Sequence, residues 1–136
     1  MPTETTVRAP MSAVSPFFVV RDVHRSLAFY RDRLGFEVTF LGPDPGPFFA
    51  VVRRDGVQFL LKAVGEGGGP RPNRLRHADA RWDAYVHAPD PDALAAELRE
   101  RGVEFAAPLD DTSDGLRGFE VEDHDGYRLF FGRPRV

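Results

Sequence analysis

The run Val19–Phe36, Val-Val-Arg-Asp-Val-His-Arg-Ser-Leu-Ala-Phe-Tyr-Arg-Asp-Arg-Leu-Gly-Phe, holds the end of a strand, a helix and a helix stop. Asp22 suits the N-cap, because a short carboxylate accepts the backbone N–H groups that the first turn leaves free. Gly35 suits the stop, because it takes the left-handed conformation without steric cost. Between them Val23, Leu27, Tyr30 and Leu34 fall at steps of four, three and four, which places them in one stripe of an amphipathic helix. The arginines fall off that stripe.

The same grammar returns at Asp90-Pro91-Asp92-Ala93-Leu94-Ala95-Ala96-Glu97-Leu98-Arg99-Glu100-Arg101-Gly102, now with proline at the first helical position. Asp22 and Asp90 are 68 residues apart, and Gly35 and Gly102 are 67 apart. Downstream, Asp55-Gly56-Val57-Gln58-Phe59-Leu60-Leu61 matches Asp125-Gly126-Tyr127-Arg128-Leu129-Phe130-Phe131 at a spacing of 70. Three markers in one order at nearly one spacing indicate a duplication.

Each copy reads as strand, helix and three strands. In the first, Ala13–Val20 is the opening strand, 36–40 the next, and Phe48–Arg53 with Val57–Ala63 a hairpin about Asp55-Gly56. In the second, Trp82–His87 opens, Pro91–Arg101 is the helix and Val103–Ala106 a strand. An acidic loop over Leu109–Asp114 follows, then a strand from Gly118 to Glu122 and another over Tyr127–Gly132. This is an α+β fold of two tandem βαβββ modules, residues 13–64 and 81–134, forming one domain. Residues 1–12 read as a disordered tail, and the Gly/Pro-rich 65–80 as a linker.

Composition narrows the function. The chain has 136 residues and a net charge of −3, so it lacks the basic footprint of a nucleic-acid binder. Cysteine is absent, which removes disulfides, thiolate nucleophiles and Cys-based zinc sites. No apolar run approaches membrane-spanning length and the first ten residues carry no secretory pattern, so a cytoplasmic protein is expected. His24, His77, His87 and His124 share no metal-ligand spacing and read as surface residues. Neither a Gly-x-Ser-x-Gly elbow nor a phosphate-binding glycine motif occurs.

The duplicated unit, with Val-Arg-Asp-Val…Ser-Leu-Ala-Phe-Tyr…Leu-Gly-Phe in the first copy and Glu-Asp-His-Asp-Gly-Tyr-Arg-Leu-Phe in the second, resembles the vicinal oxygen chelate superfamily over about residues 13–134. That superfamily includes glyoxalase I, extradiol dioxygenases, fosfomycin resistance enzymes and bleomycin resistance proteins. The resemblance implies a curved, cup-like mixed sheet with the helices on its outer face. In metal-dependent members the ligands come from the first and last strand of each module. Those positions correspond to Ser15, Leu60, Asp83 and Phe130 here. Leucine and phenylalanine offer no lone pair, so no metal, cofactor or catalytic residue is expected.

What remains is similar to the bleomycin resistance type, a cup that sequesters a small molecule as a homodimer, which implies antibiotic resistance. The expected ligand-binding residues are Ser15, Phe17, Phe48, Leu60, Asp83, Tyr85, Glu120 and Phe130. Phe17, Phe48, Tyr85 and Phe130 supply aromatic walls for a planar ligand, while Asp83 and Glu120 supply charge for a cationic one. In the hairpin strands Phe49/Val51 and Phe119/Val121 are assigned to the helix side, which leaves Phe48, Ala50, Val52, Glu120 and Glu122 facing the cup. The alternative is a metal-dependent glyoxalase-like lyase or dioxygenase. Asp83, as a lone carboxylate base, also leaves room for metal-free proton transfer.

Overall fold

The structure, a computed structural model, describes residues 6–135. Residues 6–12 are exposed and lack regular structure, while the part of the predicted tail over 1–5 lies outside the described residues. The first module comprises β1 (Phe17–Val20), α1 (Val23–Leu27), β2 (Glu37–Gly42), β3 (Phe49–Arg54) and β4 (Val57–Ala63). A short helix α2 (Asn73–Arg76) interrupts the connecting segment. The second module comprises β5 (Ala84–His87), α3 (Pro91–Glu100), β6 (Phe105–Asp111), β7 (Leu116–Glu122) and β8 (Arg128–Pro134). The two sheets have the orders β1-β4-β3-β2 and β5-β8-β7-β6, with the first pair parallel and the others antiparallel. The modules therefore share one topology, and β1 and β5 are edge strands.

Both helix signals act as the sequence implies. The Asp22 carboxylate accepts from the N–H of His24 at 2.9 Å and of Arg25 at 3.4 Å, and that of Asp90 accepts from Ala93 N–H at 3.0 Å. Gly35 and Gly102 sit at φ 74° and 84°. After Leu27 the first helix widens into a π-helical stretch, Ala28–Arg33, in which Leu34 N–H donates to the Phe29 carbonyl. A π-helical turn holds one more residue than an α-helical one. This extra residue is why the spacing between copies shrinks from 68 at the caps to 67 at the glycines.

Several boundaries differ from expectation, those of β1, β5, β6 and β7 most instructively. β1 begins at Phe17, because Pro16 has no N–H to donate, although its carbonyl still accepts from Leu60 N–H at 2.9 Å. β5 begins at Ala84, with Trp82 and Asp83 in the bend before it. The acidic segment predicted as a loop is largely strand: β6 continues to Asp111 and β7 already starts at Leu116. Arg117 is the reason, since it pairs with Asp111 at 3.1 Å and with Asp92 at 2.8 Å and so removes the repulsion that would open the hairpin. Thr112 closes the turn by accepting Leu116 N–H on its hydroxyl at 2.9 Å.

One core joins the modules. Phe18, Val20, Tyr30, Phe59 and Leu61 of the first pack in the same buried cluster as Leu98, Phe119, Val121, Leu129 and Phe131 of the second. At its centre the fully buried Tyr30 hydroxyl donates to the Asp123 carboxylate at 2.8 Å. That carboxylate also accepts the N–H groups of Asp125 and Tyr127, both at 2.9 Å. Beside it the Asp125 carboxylate accepts from Arg21 N–H at 3.1 Å and from the Ser26 hydroxyl at 3.4 Å. The helix ends meet too: Arg33 donates to the Arg101 carbonyl at 2.8 Å, and Arg54 to the Leu34 carbonyl at 2.9 Å.

Burial pushes the Asp123 carboxyl up to about 6, against the opposing pull of its hydrogen bonds. Its folded pKa thus lies above its unfolded value, so the stabilisation it brings is complete below about pH 4 and is lost as pH rises through 6. The penalty at neutral pH is on the order of 3 kcal/mol. Urea unfolding between pH 4.5 and 7 is expected to show wild-type stability falling relative to Asp123→Asn across that interval. Parallel pH dependences for the two proteins would contradict this assignment.

Candidate functional site

Each sheet turns one face to the shared core and leaves the other free. In the first module the register pairs Phe17 with Leu60 and Leu60 with Val51, so these three share the free face. Leu61 is fully buried and pairs with Ala50, itself fully buried, so Ala50 and Val52 belong to the core. The expected alternation in β3 is therefore corrected by one residue: Phe49 and Val51 face outward. Phe48 precedes the strand and lies at its margin, with the Lys62 ammonium 5.8 Å from its ring. A bulge between Val38 and Phe40 brings Phe40 onto the same face, opposite Val51. Phe49 lies 6.2 Å from Phe17 and 6.0 Å from Phe40 between ring centres. Phe17 and Phe40 remain 54% and 52% exposed, so this is an aromatic wall open to solvent.

The second module covers its own free face. Tyr85, His87, Glu120 and Phe130 lie there, as the ladder pairs Tyr85 with Phe130 and Phe130 with Glu120. Trp82, absent from the sequence-derived site, folds out of the bend and stacks on Phe130 at 4.4 Å. Phe130 is thereby 1% exposed and serves as the bed for Trp82 rather than as an open wall. It lies flat over Gly118 and Gly132: a Cβ on either would stand 2.5 Å from its ring. Tyr85, 5.1 Å from Phe130 and 4.6 Å from His87, completes the surface.

The carboxylates are already engaged. Asp83 accepts Asn73 N–H at 2.7 Å and Arg128 N–H at 2.8 Å, fastening α2 and β8 together. Its oxygens are thus used within the fold, a long-range arrangement that local sequence does not reveal. Glu120 accepts the Trp82 indole N–H at 3.1 Å and pairs with Arg128 at 3.3 Å. Arg128 also reaches Glu122, as does Arg74. Ser15 accepts from the Gln58 amide at 3.0 Å.

The fold's four potential metal positions do not fit a metal. Leu60 and Phe130 have no donor atom, Ser15 offers a hydroxyl, and Asp83 is occupied by backbone N–H groups. Among the described residues no three His, Asp or Glu side chains converge as a ligand set.

Two βαβββ modules of one topology, each with an aromatic face turned away from the shared core, define a two-module protein of this fold class. The chain belongs to the glyoxalase/bleomycin resistance protein/dioxygenase superfamily, whose family model matches residues 13–131. Among solved structures it is similar to TioX from Micromonospora sp. ML1 (20% identity, 90% of this chain and 99% of that one, TM-score 0.71). It is also similar to the bleomycin-binding protein of Streptomyces verticillus in complex with copper(II)-bleomycin (24%, 91% and 97%, 0.67). A third is TnmS3, an antibiotic binding protein from Streptomyces sp. CB03234 (22%, 93% and 99%, 0.64). These likenesses show the fold. No curated protein matches the chain.

The bed beneath Phe130 is testable. Gly118→Val introduces atoms where Phe130 and the Phe131 carbonyl already lie, and overpacking of this kind costs about 1–3 kcal/mol. Chemical denaturation is expected to show that loss, together with a change in the fluorescence of Trp82, the chain's one tryptophan. Wild-type stability and emission would refute the close packing.

Proposed function

We propose that the protein is a metal-free, non-catalytic binder that sequesters a planar small molecule, of the antibiotic class, against its concave aromatic faces. The observation that carries this reading is the wall of Phe17, Phe40 and Phe49. Rings held half in solvent on a rigid sheet give up little conformational entropy on binding and offer π-faces to a flat or cationic partner. The likeness to proteins described as bleomycin-binding and antibiotic binding supports it.

Charge enters less directly than the sequence suggests. Asp83 is a fastening residue, whereas Glu120 can share a ligand cation only by loosening Arg128. Selection for a cation therefore rests on the rings first and on Glu120 second. Titration with ethidium, a planar cation, is expected to give about tenfold weaker binding in Phe17→Ala and in Phe49→Ala, corresponding to the loss of one aromatic contact. Glu120→Gln is expected to weaken it less. Equal affinity in all three variants and the wild type would sink the proposal.

The open first wall also lacks a covering half, and the second module's free face has the aromatic surface to provide one. A symmetric homodimer in which the first module of one chain faces the second module of its partner would bury both reciprocally. Light scattering at micromolar concentration is expected to give twice the 15.2 kDa chain mass. A monomer mass would remove the shared cup.

A further inference from the structure

The duplication creates two seams between the modules, matched in topology and register, and only one is filled. In the filled seam Tyr127 stacks on Phe18 at 4.3 Å with the rings 7° from parallel, and its hydroxyl donates to the Val19 carbonyl at 2.6 Å. In the other seam the equivalents are Val57 for Tyr127, Val86 for Phe18 and His87 for Val19, as the matched ladders require. Two aromatic rings are thus replaced by two isopropyl groups. Beside these two valines lies a half-open cavity of about 930 Å³ whose apolar walls include Val57, Phe59, Val86, Leu94, Leu98 and Phe131. Sites for drug-sized ligands fall in this size class, roughly 300–1,000 Å³.

The backbone supplies the same acceptor in both seams. Leu60 N–H donates to the Pro16 carbonyl, which sets Pro16 and Phe18 toward β4 and frees the Val19 carbonyl for Tyr127. Ala88 N–H donates to the Gly132 carbonyl, which sets Val86 and Ala88 toward β8 and turns the His87 carbonyl to the open edge. Charges around the cavity are committed elsewhere. Arg54 is held by Glu97 at 2.6 Å and by the Leu34 carbonyl, Asp90 caps α3, and Asp83 holds two N–H groups. Asp55, the remaining carboxylate at the rim, is 3.9 Å from Arg54 with its side chain 90% in solvent, so a charged ligand moving in among the apolar walls would leave it behind in water, and desolvating that ligand would be costly.

We infer that this open seam, which borders the second module's free face along β5 at Tyr85 and His87, is a second small-molecule site that takes a neutral aromatic alcohol of the phenol class. Its ring lies against Val57 and Val86 as Tyr127 lies against Phe18, and its hydroxyl donates to the His87 carbonyl. The test uses 2-naphthol, read by its own fluorescence and by calorimetry, beside 2-methylnaphthalene, which keeps the shape and lacks the donor. One equivalent of 2-naphthol is expected to bind, with 2-methylnaphthalene at least fivefold weaker. Val57→Tyr, which imports the side chain of the filled seam, and Leu94→Trp, which fills the cavity from α3, are each expected to weaken 2-naphthol at least tenfold. Melting temperatures confirm that each variant folds. Wild-type affinity in either folded variant, equal affinity for the two probes, or no binding of 2-naphthol overturns the inference.

Discussion

Tyr30 and Asp123 meet where neither module could leave them alone. A buried phenol without an acceptor and a buried carboxylate without donors each cost a few kilocalories per mole, so their contact is worth most as an obligation met. It also carries geometric information. The Asp123 carboxylate takes one hydroxyl from α1's π-helical extension and two N–H groups from the β7–β8 turn. The helix of the first module is thereby fixed against the hairpin of the second. The stack of Phe18 on Tyr127 and the Arg21 and Ser26 bonds to Asp125 gather around that point. Burial raises both titration ranges, Tyr30 far above its ordinary value, and this is the electrostatic mark of polar groups held in a dry junction.

The duplicated partner of this contact was built with different chemistry. The ladders place Arg54 where the second module has Asp123, and Arg54 reaches across to Glu97 on α3 as Asp123 reaches across to Tyr30 on α1. One seam is held by a carboxylate and a phenol, the other by a guanidinium and a carboxylate. The ion pair is partly exposed, with side chains 26% and 38% accessible, so it tolerates water nearby. The Tyr30 contact does not. A seam tied at a wet point can stay open behind it, whereas one tied at a dry point must be packed around it. That difference accounts for the ring of Tyr127 on one side and the space beside Val57 on the other.

Much of the architecture was legible because it is local or repeated. Asp22 and Asp90, Gly35 and Gly102, and the two Asp-Gly turns each act within a few residues, and their equal order exposes the duplication. Even the one-residue shortfall in spacing had a physical meaning, the π-helical turn. Which residues share the candidate faces was legible in part. Phe17, Leu60, Tyr85 and Glu120 occupy the free faces because β1, β4, β5 and β7 alternate regularly. The β3 assignment failed because Phe48-Phe49-Ala50-Val51-Val52 is apolar throughout, so alternation offers no phase; only pairing with buried Leu61 sets it. Phe40 reached the wall through a bulge, and Trp82 through a bend that breaks the alternation of its neighbours. The engagement of Asp83 by Asn73 and Arg128 joins segments ten and 45 residues away, beyond any local pattern.

The two free faces differ in what they ask of a ligand. On the second, Glu120, Glu122, Arg74 and Arg128 compensate one another, and Trp82 is held by Phe130 below and by the Glu120 hydrogen bond at its edge. A ligand arriving there meets a surface with little unmet charge, so ionic attraction adds little and shape decides. On the first, Phe17, Phe40 and Phe49 leave apolar area in water, and covering it yields about 25 cal/mol for each Å² removed. For the proposed binder, binding energy would therefore come mainly from the first face and selection by shape from the second. In the binder proposed above, such a division would let one rigid scaffold accept related flat molecules on its first face while the shape of the second selects among them.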